Sequence, residues 1–203
     1  MSSIYGEYEA VLPGVMNGLM SRLESRNEDY AREHGENLYD HLSGRIKSDG
    51  SMREKLRRRG LEETAANALR EIQDAVGIRV VCRFVDDVYE MVRLIRQLPG
   101  CTVVLEKDYI RNAKENGYRS YHMILETETE EADPLGRTPG RFFAEIQLRT
   151  IAMDTWAALE HELKYKRDIR NPELIVRELH RCANELAACD VSMQTLRKII
   201  RGR

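Results

Sequence analysis

The order of hydrophobic periods along the chain predicts an α+β fold, a mixed β-sheet flanked by helices, with long helices at both ends. Three observations carry that expectation. Apolar residues first recur at helical spacing, then alternate in four runs interrupted once by a helical period, then return to helical spacing. The middle of the chain therefore reads β-α-β-β-β. The final stretch steps by four and three without a break, as a long helix with one apolar seam does. A chain of 203 residues with 42% apolar content has room for one good-sized core, so a single domain over 1–203 is expected.

Taken in order, Leu12, Met16, Leu19, Leu23 and Tyr30 fall at helical spacing and predict a helix over 13–42, with Pro13 tolerated in its first turn. A short helix over 52–59 is closed by Gly60, and another covers 62–71. Ile78, Val80, Cys82 and Phe84 then alternate with Arg79, Val81 and Arg83, which is a strand. "DDVYEMVRLIRQL" is an amphipathic helix opened by acids and stopped at Pro99-Gly100. "CTVVLEKDYI", "YRSYHMILET" and "RFFAEIQLR" are three further strands, and the acidic "ETETEEADPLGRTPG" is a solvated loop between the last two. A helix over 152–166 follows. Ile175, Leu179, Cys182, Leu186, Cys189, Met193, Leu196 and Ile200 form the seam of a last helix over 171–203, which packs on the N-terminal helix or on another chain.

Composition narrows the function classes. A net charge of −2 gives no whole-surface attraction to nucleic acid or to a membrane, so an anion site must come from local clustering of cations. The N-terminus has no secretory pattern and no apolar run is long enough to span a bilayer. Cys82, Cys101, Cys182 and Cys189 form no CxxC pair, and no His stands at metal spacing from them. They read as free thiols of a cytoplasmic protein. The chain has no G-x-x-x-x-G-K-[ST] loop, no G-x-G-x-x-G and no G-x-S-x-G, and His161 in "HELKY" lacks the second His of a zincin helix.

Four segments carry residues suited to chemistry. In "RFFAEIQLR" the pleat puts Phe142, Ala144, Ile146 and Leu148 on one face and Arg141, Phe143, Glu145, Gln147 and Arg149 on the other. That second face reads either as the solvated side of an edge strand or as a site. Asp74 stands at the mouth of the next strand to be considered. It reads as a turn acid or, with a second carboxylate, as a ligand for Mg²⁺, which takes one or two carboxylates plus phosphate oxygens and water. "GRIKSDGSMREKLRRRG" gathers Arg45, Lys47, Arg53, Lys55, Arg57, Arg58 and Arg59, a cationic cluster for phosphate or a basic solvated helix. Ser51 is its candidate N-cap. "KENGYRSYH" offers a flat ring at Tyr118, a donor and an acceptor at Asn116, and cations at Lys114 and nearby Arg111. An Asn-Gly hairpin turn explains Asn116 and Gly117 but leaves Lys114, Tyr118 and His122 unexplained.

"DAVGIRVVCRFVDDVY", "DYIRNAKENGYRSYH" and "AEIQLRTIAMDTWAALEHELKYK" resemble the synthetase domain of RelA/SpoT proteins, and "GRIKSDGSMREKLRRRG" resembles that family's upstream segment. The likeness runs over about 43–166, in order and at the family's spacing, with a helical segment 1–42 before it and the heptad helix 171–203 after it. In a chain this short it resembles a small, single-domain alarmone synthetase. The resemblance implies a nucleotidyltransferase-like mixed sheet and transfer of pyrophosphate from ATP to the 3′-hydroxyl of GDP or GTP, giving ppGpp or pppGpp and AMP. It implies Mg²⁺ on Asp74 and Glu145, with Glu145 also helping the hydroxyl lose its proton. It puts Arg45, Lys47, Ser51, Lys55, Arg59 and Arg79 on ATP, with Arg79 and Arg45 flanking the adenine. It puts Lys114, Asn116, Tyr118, His122 and Gln147 on the guanine nucleotide, with Tyr118 stacked on the base. It also implies tetramers built through terminal helices.

Ala113 and Glu115 stand where the family loop is often proline-rich, so this loop is expected to be more flexible before substrate binds. Paired His-Asp metal residues of a hydrolase domain and C-terminal regulatory domains are not seen, so neither product hydrolysis nor ribosome-coupled control is expected. Two alternatives stand beside the synthetase. One is a pyrophosphokinase acting on the tRNA 3′ end, against which the net acidity argues. The other is an inactive nucleotide- or RNA-binding regulator, against which the presence of both carboxylates argues. No membrane partner and no stable nucleic-acid partner are expected, with RNA left open as a regulator.

Overall fold

The computed structural model describes residues 3–164 and 171–202. A five-stranded mixed sheet in the order β1-β2-β5-β4-β3 is built from Tyr39–Ile46 (β1), Val76–Cys82 (β2), Cys101–Asp108 (β3), Tyr121–Thr129 (β4) and Gly140–Thr150 (β5). β5 lies at its centre, parallel to β2 and antiparallel to β4. The solvated edge strand that "RFFAEIQLR" could have been is thus excluded. Five helices accompany the sheet: Leu12–His34 (α1), Asp49–Arg58 (α2), Val85–Ile95 (α3), Ile151–Lys164 (α4) and Pro172–Ile200 (α5).

One face of the sheet is the main core. Val76, Ile78 and Val80 of β2, Met123 and Leu125 of β4, and Phe142, Ala144, Ile146 and Leu148 of β5 are all buried there. Leu12, Val15, Leu19 and Leu23 of α1 and Val88, Met91, Val92 and Ile95 of α3 close over them. Each of these side chains larger than Ala144 contributes roughly 1.5–3 kcal/mol by leaving water. The opposite face is covered at one end by α4 and α5, where Trp156, Leu179 and Ala183 form a second, smaller core. The rest of that face is open and polar.

Several boundaries differ from the sequence reading. The N-terminal helix stops at His34 rather than near 42, because Gly35 takes the left-handed conformation (φ 79°) and its N–H closes on the Ala31 carbonyl. The residues beyond it form edge strand β1, whose polar run "YDHLSGRI" gives little strand signal. α2 starts at Asp49, and Ser48, not Ser51, caps it by accepting the Ser51 N–H. The helix expected over 62–71 contracts to a wide turn at Asn67–Glu71, where the Ile72 N–H reaches the Asn67 carbonyl. The expected end of α4 at 166 lies outside the described residues. α5 packs its Leu179 and Ala183 on α4, and Arg197 joins it to Asp87 of α3 at 2.5 Å and to Glu36 at 3.2 Å. It does not use the N-terminal helix for its seam. Met193, Leu196 and Ile200 of that seam stay exposed. The four cysteines are free, as expected.

The acidic loop between β4 and β5 is not simply solvated. Asp133 is fully buried. Its Oδ1 accepts the N–H groups of Leu135 (2.9 Å) and Arg137 (3.2 Å), and its Oδ2 accepts the Arg141 N–H (3.2 Å) and Arg137 Nε (2.7 Å). The carboxylate therefore shapes the loop from inside. Asp133→Ala strands three backbone donors and is expected to cost about 2–3 kcal/mol of stability. Urea unfolding followed by circular dichroism measures it, and a loss below about 0.5 kcal/mol contradicts that role.

Candidate active site

The pleat decides which side chains meet on the open face. Register aligns Arg45, Gly77, Glu145 and Ile124 as one row across β1, β2, β5 and β4. The next row, two residues further along each strand, is Ser43, Arg79, Gln147, His122 and Lys107 and crosses all five strands. Adjacent rows on one face lie about 7 Å apart. Gly77 leaves open the position beside Glu145.

Asp74 stands just before β2. Its Oδ2 receives Lys55 Nζ at 2.5 Å and Lys47 Nζ at 3.2 Å, while its Oδ1 is buried with no hydrogen-bond partner. A buried carboxylate oxygen without a donor, with a second carboxylate across the same cleft, fits a hard divalent cation. No group of three or more His, Cys, Asp or Glu residues suited to a metal exists among the described residues. An ion here would complete its shell with oxygens from elsewhere.

Glu145 belongs to a closed ring of side chains. His122 Nδ1 reaches Glu145 Oε1 at 3.0 Å, and Gln147 Nε2 donates to Glu145 Oε2 at 2.8 Å. Tyr118 Oη meets His122 Nε2 at 2.8 Å. Arg149 closes the ring, with Nη2 donating to Tyr118 Oη at 2.7 Å and to Gln147 Oε1 at 2.8 Å. With the His122 proton on Nδ1 and the Tyr118 hydroxyl donating, every donor faces an acceptor. Burial pushes the Glu145 carboxyl up. Its hydrogen bonds and electrostatic attraction to His122, the Gln147 amide and the Lys55 charge outweigh that and leave it at about 2. It is a weaker base than an ordinary glutamate.

Two depressions meet at this pair of acids. One, about 620 Å³, is lined by Arg45, Lys47, Arg79 and Gln147 together with Asp74 and Glu145. The other, about 760 Å³, has Lys55, Arg59, Lys107, Lys114 and His122 around the same Asp74 and Glu145. Arg79 is held at 3.2 Å from Asp154. Burial and the charges of Arg149 and Arg45 draw its guanidinium below its ordinary value, while Asp154 opposes them.

The residues expected on the guanine nucleotide are brought together, though not all into one wall. Lys114 Nζ lies 4.7 Å from the Tyr109 ring centre and 4.8 Å from that of Tyr118, so it occupies one face of the expected stacking ring. Asn116 closes an Asx-type turn onto the Tyr118 N–H (3.2 Å) and donates to Glu160 (3.1 Å). The Asn-Gly turn and the aromatic-cationic cluster are thus both present. Gly117 has φ 90°, and a Cβ there would stand 2.6 Å from Ala183 Cβ, so the loop lies directly against α5. Arg119 fixes it there by donating to the Ala183 carbonyl (3.3 Å) and Asn184 Oδ1 (3.1 Å).

Asn116, Tyr118 and Ser51 line neither depression, and Lys55 and Arg59, expected with ATP, line the one that holds Lys114 and His122. Gln147 lines the depression of Arg45 and Arg79 instead. The sequence reading left out Lys107, Tyr109, Asp154 and Glu160, and it put Arg149 on the polar face of its strand without giving it a role. Alternation along "LEKDY" puts Leu105, Lys107 and Tyr109 on one face, a usable signal. Asp154, one turn into α4, carries no such signal.

Residues 44–170 match the family model described as a region found in RelA/SpoT proteins. The chain is 35% identical over 184 residues to the GTP pyrophosphokinase YwaC of Bacillus subtilis (strain 168), covering 91% of this chain and 86% of that one. The crystal structure of small alarmone synthetase 2 from Bacillus subtilis superposes with a TM-score of 0.80 at 34% identity, over 93% of this chain and 95% of that one. Small alarmone synthetase 1 from the same organism, crystallised with its product pppGpp, gives 0.81 at 28% identity, over 95% of each chain.

Glu145 makes stability depend on pH with a definite sign. Its carboxyl lies at about 2 when folded, against 4.5 for an ordinary glutamate. The stabilisation is complete above that ordinary value and is lost as pH falls towards the folded one. The stability advantage of the native protein over Glu145→Gln should shrink by about 2 kcal/mol between pH 7 and pH 3. Denaturant unfolding of both proteins at the two pH values measures it, and a gap that stays constant refutes the depressed carboxyl.

Proposed function

The chain belongs to the RelA/SpoT family, and we propose that it synthesises (p)ppGpp by moving pyrophosphate from ATP to the 3′-hydroxyl of GDP or GTP. The observation that carries this reading is the pair of cation-rich depressions that share Asp74 and Glu145. A reaction between two nucleotides needs two anion sites and a common place where the reacting groups meet. In it the 3′-oxygen bonds to the β-phosphorus of ATP, the bridging oxygen leaves with AMP, and the hydroxyl proton passes to solvent.

ATP takes the depression of Arg45, Lys47 and Arg79, whose guanidinium planes suit an adenine ring. The guanine nucleotide takes the other, with Lys114, Lys107 and Arg59 towards its phosphates and Tyr118 towards the base. Stacking on Tyr118 requires Lys114 to leave the ring face it now covers, which sends its ammonium towards phosphate as the base arrives. Ser51 lies in the first turn of α2 and is kept with ATP by the family pattern alone. Asp74 and Glu145 would hold Mg²⁺, which neutralises phosphate charge and polarises the hydroxyl when bound. Lys47 and Lys55, paired with Asp74, would be freed for the phosphates once a cation takes the carboxylate. Glu145 would accept a hydrogen bond from the 3′-hydroxyl and help it lose its proton.

Assembly through the terminal helices, into tetramers as in the family pattern, belongs to the same reading. Its support is the exposed apolar end of α5: Val191, Met193, Leu196, Ile199 and Ile200 are each more than half exposed. No helix among the described residues is long and apolar enough to cross a membrane.

Incubation with labelled ATP, each guanine nucleotide and Mg²⁺, followed by product separation, is expected to give ppGpp or pppGpp with AMP in equal amount. Asp74→Asn and Glu145→Gln should lower turnover about a thousandfold while guanine-nucleotide binding persists. Unchanged turnover in both variants, or label moving to no guanine nucleotide, overturns the assignment. Leu196→Glu should reduce the assembled mass seen by light scattering, and an unchanged mass removes α5 from the interface.

A further inference from the structure

Two side chains that line neither depression stand between them. Asp154 Oδ1 receives Arg79 Nη1 from the donor side at 3.2 Å and Arg149 Nη1 at 3.0 Å. Arg149, only 5% exposed, uses one nitrogen, Nη2, to donate both to Tyr118 Oη at 2.7 Å, the ring expected on the guanine, and to Gln147 Oε1 at 2.8 Å, on the wall of the ATP depression. One carboxylate oxygen and one guanidinium therefore connect the residue assigned to adenine with the residue assigned to guanine. The Arg149 end is short and buried, and its charge-assisted hydrogen bonds are of the strong, directional kind, while Arg79, about a third exposed, joins through an ion pair.

The charges make the connection two-way. Arg79 and Arg149 repel each other, and Asp154 offsets that repulsion from between them. Arg79 Nε is buried without a hydrogen-bond partner, so its orientation rests on the Nη1 contact to Asp154. If Arg79 is fixed against an adenine, Asp154 is fixed, and with it the arginine that pins the Tyr118 hydroxyl and the Gln147 amide. If Tyr118 is fixed against a guanine, the same chain acts in reverse.

We propose that Asp154 and Arg149 are positioning residues that make the ATP and guanine-nucleotide subsites interdependent, so that occupation of one strengthens the other. This rests on the assignment of Arg79 and Tyr118 made above. Neither residue touches the reacting atoms. A merely structural ion pair holding α4 against the sheet would alter unfolding but not link the two substrates.

The test is a set of steady-state and binding measurements on the native protein, Asp154→Asn, Arg79→Ala and the double variant. Asp154→Asn, isosteric and without the charge, should raise KM for both ATP and GDP about tenfold each, with a smaller change in kcat. Arg79→Ala should raise KM for GDP as well as for ATP, and that effect on GDP should disappear in the Asp154→Asn background. A non-hydrolysable ATP analogue should tighten GDP binding in the native protein and leave it unchanged in Asp154→Asn, as calorimetry would show. Arg149→Lys, which keeps the charge and loses the fork, should abolish the same coupling, and it replaces Asp154→Asn if that variant does not fold. A KM change confined to ATP, additive effects in the double variant, or coupling retained in both single variants overturns the proposal and leaves the synthetase assignment intact. A native protein that forms no (p)ppGpp overturns both, and that result needs no variant.

Discussion

A buried positive charge organises this site. Arg149 sits at the end of the central strand, under the acceptor loop, with almost no access to water. An unpaired charge there would cost several kcal/mol, so each N–H must find an acceptor. Ser120 Oγ takes Nε at 3.4 Å, Asp154 takes Nη1, and Tyr118 and Gln147 share Nη2. The demand for acceptors fixes residues from the loop, from β5 and from the first turn of α4 around one point. A guanidinium beneath and a helix behind hold this loop in place. The contact of Gly117 with Ala183 leaves no room for the loop to settle back.

The second organising feature is an exchange of partners. Asp74 is paired with Lys47 and Lys55, and Glu145 accepts hydrogen bonds from His122 and Gln147, so each carboxylate has partners. Two unit charges 4 Å apart attract by about 4 kcal/mol at an intermediate effective dielectric. Leaving either lysine or the aspartate alone would forfeit that. In the proposed reaction, phosphates would compete for the lysines and a divalent cation for the carboxylates, so that Asp74 and its lysines would acquire new partners together. A nucleotide arriving without its metal, or a metal without phosphate, satisfies half of the exchange. The acidic net charge of the chain does not oppose this, because the cations that matter are gathered on one face by strand register.

The pattern of β2, β5 and α3 was legible because each buries one face against the same core, which imprints a clean period of two or of 3.6. Glu145 and Gln147 could be placed on one face of a strand for that reason. β1 was not legible. It is an edge strand with polar residues on both faces, and its neighbour α1 ends at a glycine that the helical period overran. Asp133 was hidden for the opposite reason, since an acid in an acidic stretch reads as solvated until the loop folds around it. The rows that bring Arg79 beside Gln147 and His122 depend on β2 pairing with β5 across three intervening elements, and nothing local in either strand announces that partner. Ser51 was mistaken for the cap because Ser48, three residues earlier, satisfies the same preference.

The seam of α5 shows how one sequence pattern can serve two surfaces. At 1.5 Å per residue, the 29 residues of α5 extend about 43 Å and the 14 of α4 about 21 Å, so α4 can cover no more than half of the seam. The covered half holds Leu179, Cys182 and Leu186, and on it the acceptor loop rests through Gly117 and Arg119. Beyond it α5 is attached by polar contacts, Arg197 to Asp87 and Glu36 and Gln194 to Asp86, which hold the helix without covering Met193, Leu196 or Ile200. A straight helix also drifts about 20° per heptad against a 3.5-residue repeat, which turns the outer part of the seam away from the sheet. The outer half of α5 is therefore the part of the seam left open for the assembly proposed above.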